Sequence, residues 1–542
     1  MSRTFRVLVS VALITGAAFV LAPPASAISD TCLYDGPTKI VTVVFPGTIN
    51  VTRTVSREHN GNKIYYNGSP CSTATVKNTK TIYAITGAGA QTLDIDLSNG
   101  QFAPGAGTES KGASEIEWEV DLGDGTDSIN VTGGSEADNI HFEGRTALML
   151  NGDADSDVHL LNTEMRSVDS GGGNDHLSAS TSTPKVAFYA GSGNDTLSGG
   201  GGADDLEGGA DNDTVNGNGG NDSLYGGSGV DHANGGDDSD GFYGGSGNDV
   251  FKGGAGRDTF YAESTSHDGA DVFSGGPGIY DYASYYARST AVKVSLDGVA
   301  NDGATGENDN MGKDVESIDG TSAKDVLTGN SSPNYIYGEG GDDVINGGAD
   351  EDNLYGYAGN DKINGDDGDD SLYGNDGDDT MSGGSGDDWF GADSTNDGND
   401  TMSGGTGVDS VSYASRSVKV WVRLGGVNEG QLGEADKLGN DIENGYGGST
   451  GDVISGTNGD NHLYGNGGDD TMDGGFGSDY VSGDAGNDDI TGGDGADYVY
   501  GDDDNDTMHT VDGGSDYIYC GNGVDVASNR DSFDTVNACE TT

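Results

Sequence analysis

The chain has 542 residues, 99 of them glycine, and carries 92 acidic against 24 basic side chains for a formal charge of −68. Apolar residues make up only 32%, below the ~45–50% of ordinary globular domains, so a conventional large hydrophobic core is excluded, and the charge excludes nucleic-acid binding. Such a composition stays disordered unless the acids are neutralised in place, which turns the question to whether the carboxylates are scattered or periodic.

Residues 1–27 read as a cleavable secretory signal: Arg3 and Arg6 form a basic start, 7–21 is apolar, and Ala25-Ser26-Ala27 fits the small-residue cleavage pattern. The apolar run is short for a membrane span, which disfavours a retained anchor. No later segment is apolar enough to cross a bilayer, so the mature chain is expected to be secreted and extracellular. Export permits disulfides. The four cysteines allow three pairings; the two local ones, Cys32–Cys71 and Cys520–Cys539, are expected, and no spacing resembles a zinc site.

Residues 28–80, with alternating runs at 39–44 and 48–55, are expected to form a small disulfide-clipped β cap. Residues 81–189 carry loose glycine–aspartate segments such as LGDGTDSINV and SGGGNDHLSA and read as a degenerate β-solenoid. Asp153, Asp155, Asp157 and Glu164 match the ligand spacing of an EF-hand loop, but Val158 stands where the sharp turn needs glycine. A solenoid turn is the better reading.

From Ala190 the chain repeats every nine residues without slip, as in AGSGNDTLS, GGGGADDLE and GGADNDTVN. In the first block (190–283) the sixth slot holds Asp195, Asp204, Asp213, Asp222, Asp231, Asp240, Asp249 and Asp258, and the eighth slot is apolar. The second block (320–411) places Asp325, Asn334, Asp343, Asp352, Asp361, Asp370, Asp379 and Asp388 in the sixth slot. The third (447–527) places Asp452, Asn461, Asp470, Asp479, Asp488, Asp497 and Asp506 there. Periodicity of this kind marks a stacked-repeat architecture. Slots one to six read as a glycine-rich turn, because positive φ is cheap only for glycine. Slots seven to nine read as a short strand with slot eight inward. Two nonads make one coil, with a turn on each side, and the sixth-slot aspartates stack into two ladders.

Those ladders carry the chemistry. Carboxylates ~4.8 Å apart repel by ~1 kcal/mol even in water, and a divalent cation between turns reverses the sign. Calcium suits the site, since it takes six to eight oxygens from carboxylates and carbonyls in flexible geometry. The pattern GGxGxDx(apolar)x resembles the RTX, or haemolysin-type, calcium-binding repeat family. The resemblance implies an all-β, right-handed parallel β-roll, with each calcium ion held between a turn and the equivalent turn two nonads later. It also implies that the sixth-slot aspartates are the metal ligands. Sites using Asn334 or Asn461 are expected to be weaker. One departure is the N-terminal signal, where many members of the family leave through an exporter that reads the C-terminus.

Two related insertions, 284–319 and 412–446, separate the blocks. Both carry a VKV run, an LxGV turn and an E-x-D motif, and read as a strand plus loop continuing the solenoid. Residues 528–542 read as a tail cap fastened by Cys520–Cys539. Slot nine carries tyrosine on one face only: Tyr225, Tyr243 and Tyr261, then Tyr337, Tyr355 and Tyr373, then Tyr464 and Tyr500. Stacking that stiffens a glycine-weak sheet explains this; an aromatic platform for a polysaccharide or a cell surface is the sharper alternative.

No catalytic constellation is expected. Gly447-Gly448-Ser449-Thr450-Gly451 matches an esterase pattern but sits in a nonad turn, and the eight histidines are scattered. The chain therefore reads as a calcium-dependent extracellular structural, adhesive or surface-binding protein. The alternatives are an exported hydrolase or a haemolysin-like toxin carrying the same roll.

Overall fold

The computed structural model describes residues 165–510 apart from 264–268, then 514–530 and 534–539, and upstream of 165 the strand segments between 31 and 161 with a few flanking residues. The expected signal at 1–27, the EF-hand-like quartet Asp153, Asp155, Asp157 and Glu164, and the side chains of Cys32 and Cys71 lie outside the described residues. The chain divides into two compact units, Met1–Gly209 and Ala210–Thr542. Every regular element among the described residues is a β-strand, and the pairing is overwhelmingly parallel, as a β-solenoid requires. No helix among the described residues is long and apolar enough to cross a membrane.

In the first unit the coils are irregular. Ile40–Phe45 pairs in parallel with Thr81–Thr86, and Val51–Arg57 with Gln91–Asp96. That second stack continues through Ser128–Thr132 and Met165–Asp169 to Val186–Ser192. Thr31–Asp35 and Lys63–Tyr66 add antiparallel flaps. Strands from the segment read as a cap thus belong to the same stacks as the solenoid.

In the second unit equivalent strands lie two nonads apart and in register, as in Ser223–Ser228 against Gly241–Ser246. Slot eight is the core: Leu224, Phe242, Phe251, Phe260, Leu354 and Ile363 have no exposed surface. The three-residue strand expected from the sequence is found in the third block, for example His462–Tyr464. It is also found at the ends of the first two blocks, as in Thr196–Ser198 and Tyr335–Tyr337, but within them it is too short. Gly241–Ser246 and Ser371–Asp376 run from slot seven through slot three of the next nonad. The side-chain alternation simply carries on, giving a second inward position at slot one. The sequence reading assigned slot one to the turn because glycine there looked like turn chemistry; it is a strand residue that lacks a side chain for another reason, given below.

The insertions treat the two sheets differently. The tyrosine-bearing sheet passes through them unbroken: Tyr282 pairs with Ser317 and Ser317 with Tyr335, and later Ser410 with Asn444 and Asn444 with His462. In the first insertion the opposite sheet ends and restarts: Val272–Ser274 closes on Asn310–Met311, while Val292–Ser295 opens a new stack against Val326–Thr328. The second insertion makes the same switch from Asp436–Leu438 to Val420–Arg423, but there Val427–Gln431 bridges the two by antiparallel pairing, so the sheet stays continuous. The two VKV runs are therefore not equivalent. Val292 corresponds to Val420, since each donates its backbone N–H to the first aspartate of the following block, Asp325 or Asp452. Val418 is 46% exposed while Val420 and Val422 are buried; inward facing, not sequence identity, sets the register.

At the C-terminal end Thr535–Asn537 adds a rung to Tyr517–Tyr519. Cys520 and Cys539 are disulfide-bonded, with Cα atoms 5.1 Å apart.

Candidate functional site

The sixth-slot aspartates do stack, and they stack indoors. Each is at most 3% exposed, from Asp195 to Asp506. In the second unit the backbone N–H of one donates to the carboxylate of the next coil: Asp213 to Asp231 Oδ1 at 2.7 Å, Asp231 to Asp249 at 2.8 Å, Asp343 to Asp361 at 2.7 Å and Asp470 to Asp488 at 2.8 Å. The other edge has its own chain, Asp222 to Asp240 and Asp240 to Asp258. Asp352, Asp370 and Asp388 continue likewise, as do Asp479 and Asp497. Asn334 and Asn461 open their ladders by donating to Asp352 and Asp479. In the first unit Asp175 donates to Asp195, and Asp204 accepts from Val186 and Gly200.

Asp204, Asp325 and Asp452 have both carboxylate oxygens hydrogen-bonded; along the rest of the ladders the bond from the neighbouring coil takes one oxygen, Oδ1. The second, Oδ2, is buried without a hydrogen-bond donor in Asp231, Asp240, Asp258, Asp343, Asp352, Asp361, Asp370, Asp379, Asp388, Asp470, Asp479, Asp488 and Asp506. This oxygen explains slot one. A Cβ on Gly226 would lie 2.6 Å from Asp231 Oδ2 and 2.7 Å from the Gly244 carbonyl oxygen; on Gly338 it would lie 2.7 Å from Asp343 Oδ2 and 2.8 Å from the Gly356 carbonyl. Glycine leaves that inward space to two oxygens, one from each of two coils.

Burial is the first cause pushing these carboxyls up, and like charges on neighbouring coils add to it. Asp240, Asp343, Asp352 and Asp470 are raised to about 8. Asp379, Asp388, Asp479 and Asp488 are raised to about 7. Leaving a buried acceptor unsatisfied costs ~1–3 kcal/mol, more when it is charged. The arrangement therefore calls for a positive partner. All available donors are oxygens, which fits a hard cation such as calcium. Among the described residues no three His, Cys, Asp or Glu side chains cluster, so turn carbonyls would supply most of the ligands.

The ladders also take in residues outside the nonad phase. Asp271 and Asp309 extend the first, and Asp281 and Glu316 its partner. Asp400 with Asp436, and Asp409 with Glu443, do the same in the second block. Asp525 and Asp516 do so in the third. Sequence reasoning missed these because the insertions break the nine-residue spacing. It also missed an outer ladder in slot five, where Asn360 N–H donates to Asp342, Asp378 to Asn360, and Asn487 to Asp469. The recurrence of Asn or Asp just before the sixth-slot aspartate was the available signal. These exposed bonds hold the Asp342 and Asp469 carboxyls below the ordinary value.

Where the insertions end one ladder, fixed groups take over. Tyr285 donates its hydroxyl to Asp309 Oδ2 at 3.0 Å, and Tyr413 donates to Asp436 Oδ2 at 2.7 Å. Arg288 pairs with Glu307, and Arg416 with Asp397 and Glu434, all in the interior. The esterase-like Ser449 donates its hydroxyl to the Arg416 carbonyl, a bond that serves the turn.

Slot four tests the stacking directly. Gly359 has φ +142°, and a Cβ there would overlap the Gly341 carbonyl oxygen. Gly359→Ala is expected to cost more than ~3 kcal/mol, read as a fall in thermal midpoint in saturating calcium. Gly340→Ala, where the nearest atom is 3.6 Å from the new Cβ, is expected to be nearly neutral. Equal midpoints for the two variants would contradict the proposed packing.

The model of the RTX calcium-binding nonapeptide repeat matches this chain in nine stretches between residues 188 and 508, including 188–215, 319–354, 355–390 and 446–481, with gaps at the two insertions. The stretch 394–412 is matched as well, and it contains Asp400 and Asp409. No curated protein matches the chain. The matched stretches fall on the three nonad blocks whose sixth-slot aspartates form the ladders, and the chain belongs to the RTX calcium-binding nonapeptide-repeat family.

Proposed function

We propose that this is a secreted protein whose sixth-slot aspartates, together with turn carbonyls, hold several calcium ions. It folds on that calcium outside the cell and serves there as a structural, adhesive or surface-binding protein. The observation that supports this reading is the row of buried Oδ2 atoms without a donor, several of which, such as those of Asp231, Asp343, Asp352 and Asp470, share the space beside a slot-one glycine with a carbonyl of the adjacent coil. Two facing oxygens without a proton between them are stable only with a cation, so binding energy becomes folding energy. Calcium, when bound, would neutralise the ladder and tie one coil to the next. The chain's own residues hold the carboxylates in place through the N–H of the preceding coil. The division into cap, degenerate solenoid, three blocks, two insertions and tail belongs to this proposal, as does export by the signal at 1–27.

Circular dichroism of the calcium-stripped chain at neutral pH tests it. Coil is expected in chelator, converting to β-structure with a midpoint of ~10⁻⁴–10⁻³ M calcium, the range of extracellular modules. A β spectrum already complete in chelator would sink the reading.

A further inference from the structure

The tyrosine face is not a uniform platform. Tyr225, Tyr243 and Tyr261 stack on one another at 4.6 and 4.7 Å with planes within 10°. Tyr355 and Tyr373 stack at 4.8 Å and 5°. Within such a ladder each ring face is spent on its neighbours, and only edges reach solvent. A ligand that needs an open aromatic face must bind where the ladder is interrupted.

The sheet offers such a place. Between Tyr261 and Tyr337 the slot-nine rungs are Ser284 and Asp319, so two ring positions are vacated over a gap of ~14 Å at the usual strand spacing. The gap is a cleft of about 410 Å³, within the ~300–1,000 Å³ of small-ligand sites. Tyr261 ends its ladder there and is 37% exposed, and Tyr357, on the same wall as Tyr337, is 40% exposed. Tyr282 leans into the gap from slot seven, parallel to Tyr337 within 11° at 6.3 Å. The Arg257 guanidinium covers the Tyr282 ring at 4.8 Å. On the floor Ser284 donates its hydroxyl to Asp319, and Glu339 lines the cleft beside it, held in a left-handed conformation at φ 73°.

The chemistry selects among ligands. Two carboxylates in a chain of this charge repel anions. A lining of carboxylates, hydroxyls and a guanidinium disfavours a purely apolar ligand, which would leave those groups unpaired. A cation would compete with Arg257 for the same ring face. An uncharged pyranose fits both halves of the site: its C–H face lies on a tyrosine, while its hydroxyls donate to Asp319 and Glu339 and accept from Arg257. We infer that the interruption of the tyrosine ladder at Ser284 and Asp319 is a binding cleft for a neutral polysaccharide chain, with Tyr261, stacked on one side only, as its open aromatic wall and Asp319 as its hydroxyl acceptor. This rests on the surface-binding reading above and gives it a location and a ligand class.

The test is a depletion assay of the full chain in saturating calcium on cellulose, insoluble starch and chitin, with polygalacturonate as the anionic probe and choline as the cationic competitor. Binding to at least one neutral polymer is expected, weakened at least ~10-fold by Tyr261→Ala and by Asp319→Asn. Tyr243→Ala, inside the ladder, is expected to bind as the parent does. Calcium-induced circular dichroism of all variants should match the parent, which separates loss of the cleft from loss of the fold. No binding to any neutral polymer, binding unchanged in both cleft variants, or displacement by choline would overturn the inference while leaving calcium-dependent folding standing. Failure of calcium to fold the parent would instead overturn the underlying reading.

Discussion

Arg416→Met is expected to destabilise the second unit more than any surface substitution, by ~3–5 kcal/mol or beyond. The guanidinium is fully buried and bonded to Asp397 and Glu434, whose side chains are 3% and 0% exposed. Methionine fills similar space but leaves two carboxylates buried without a counter-charge, and that desolvation penalty dominates the loss. Adding Asp397→Asn and Glu434→Gln to the same variant removes the stranded charges, so much of the stability should return. Urea unfolding in saturating calcium measures both effects. A single variant within ~1 kcal/mol of the parent, the scale of an exposed pair, would show that the junction does not depend on this cation.

Without calcium, acid is expected to fold the chain. The sixth-slot carboxyls have an ordinary value of 3.8, and in the coil stack Asp240, Asp343, Asp352 and Asp470 are raised to about 8, first by burial and then by like charges on adjacent coils. The folded, calcium-free chain therefore binds more protons than the unfolded one between those values. By linkage its stability is greatest below 3.8 and is lost as pH rises through about 6 to 8. Protons take the place of the missing cation by supplying a donor between the facing oxygens. With calcium present the sign reverses, because protons then compete with the ion for the same carboxylates. Calcium-stripped protein should show β-structure by circular dichroism at about pH 5 and coil at about pH 8. Equal spectra at the two pH values would remove burial of the ladder as the origin of calcium dependence.

Much of this was legible in the sequence because a solenoid folds by local rules repeated at a fixed interval. The nine-residue phase placed Asp231, Asp343 and Asp470 in equivalent turns, put Leu224 and Ile363 in the core, and separated a tyrosine face from a polar one. Each of these follows from turn chemistry and strand alternation within a single repeat. What the repeat could not reveal were contacts made by residues outside its phase. Asp309 and Asp436 join the ladders only because the insertions fold back onto the last regular coil. The longer strands of the first two blocks were hidden because slot-one glycine resembles turn glycine. Its true cause is the Oδ2 atom of the aspartate in the following turn, seen only when both are placed in space. The sequence by itself determined the fold, the ladders and the preference for a hard cation, since these repeat with the chain. Only the tertiary structure decided where ladders end, that Arg416 pairs with two buried carboxylates at such an end, and that the tyrosine stack is interrupted at Ser284 and Asp319. Those features arise from packing between segments of unlike sequence, and no local period encodes them.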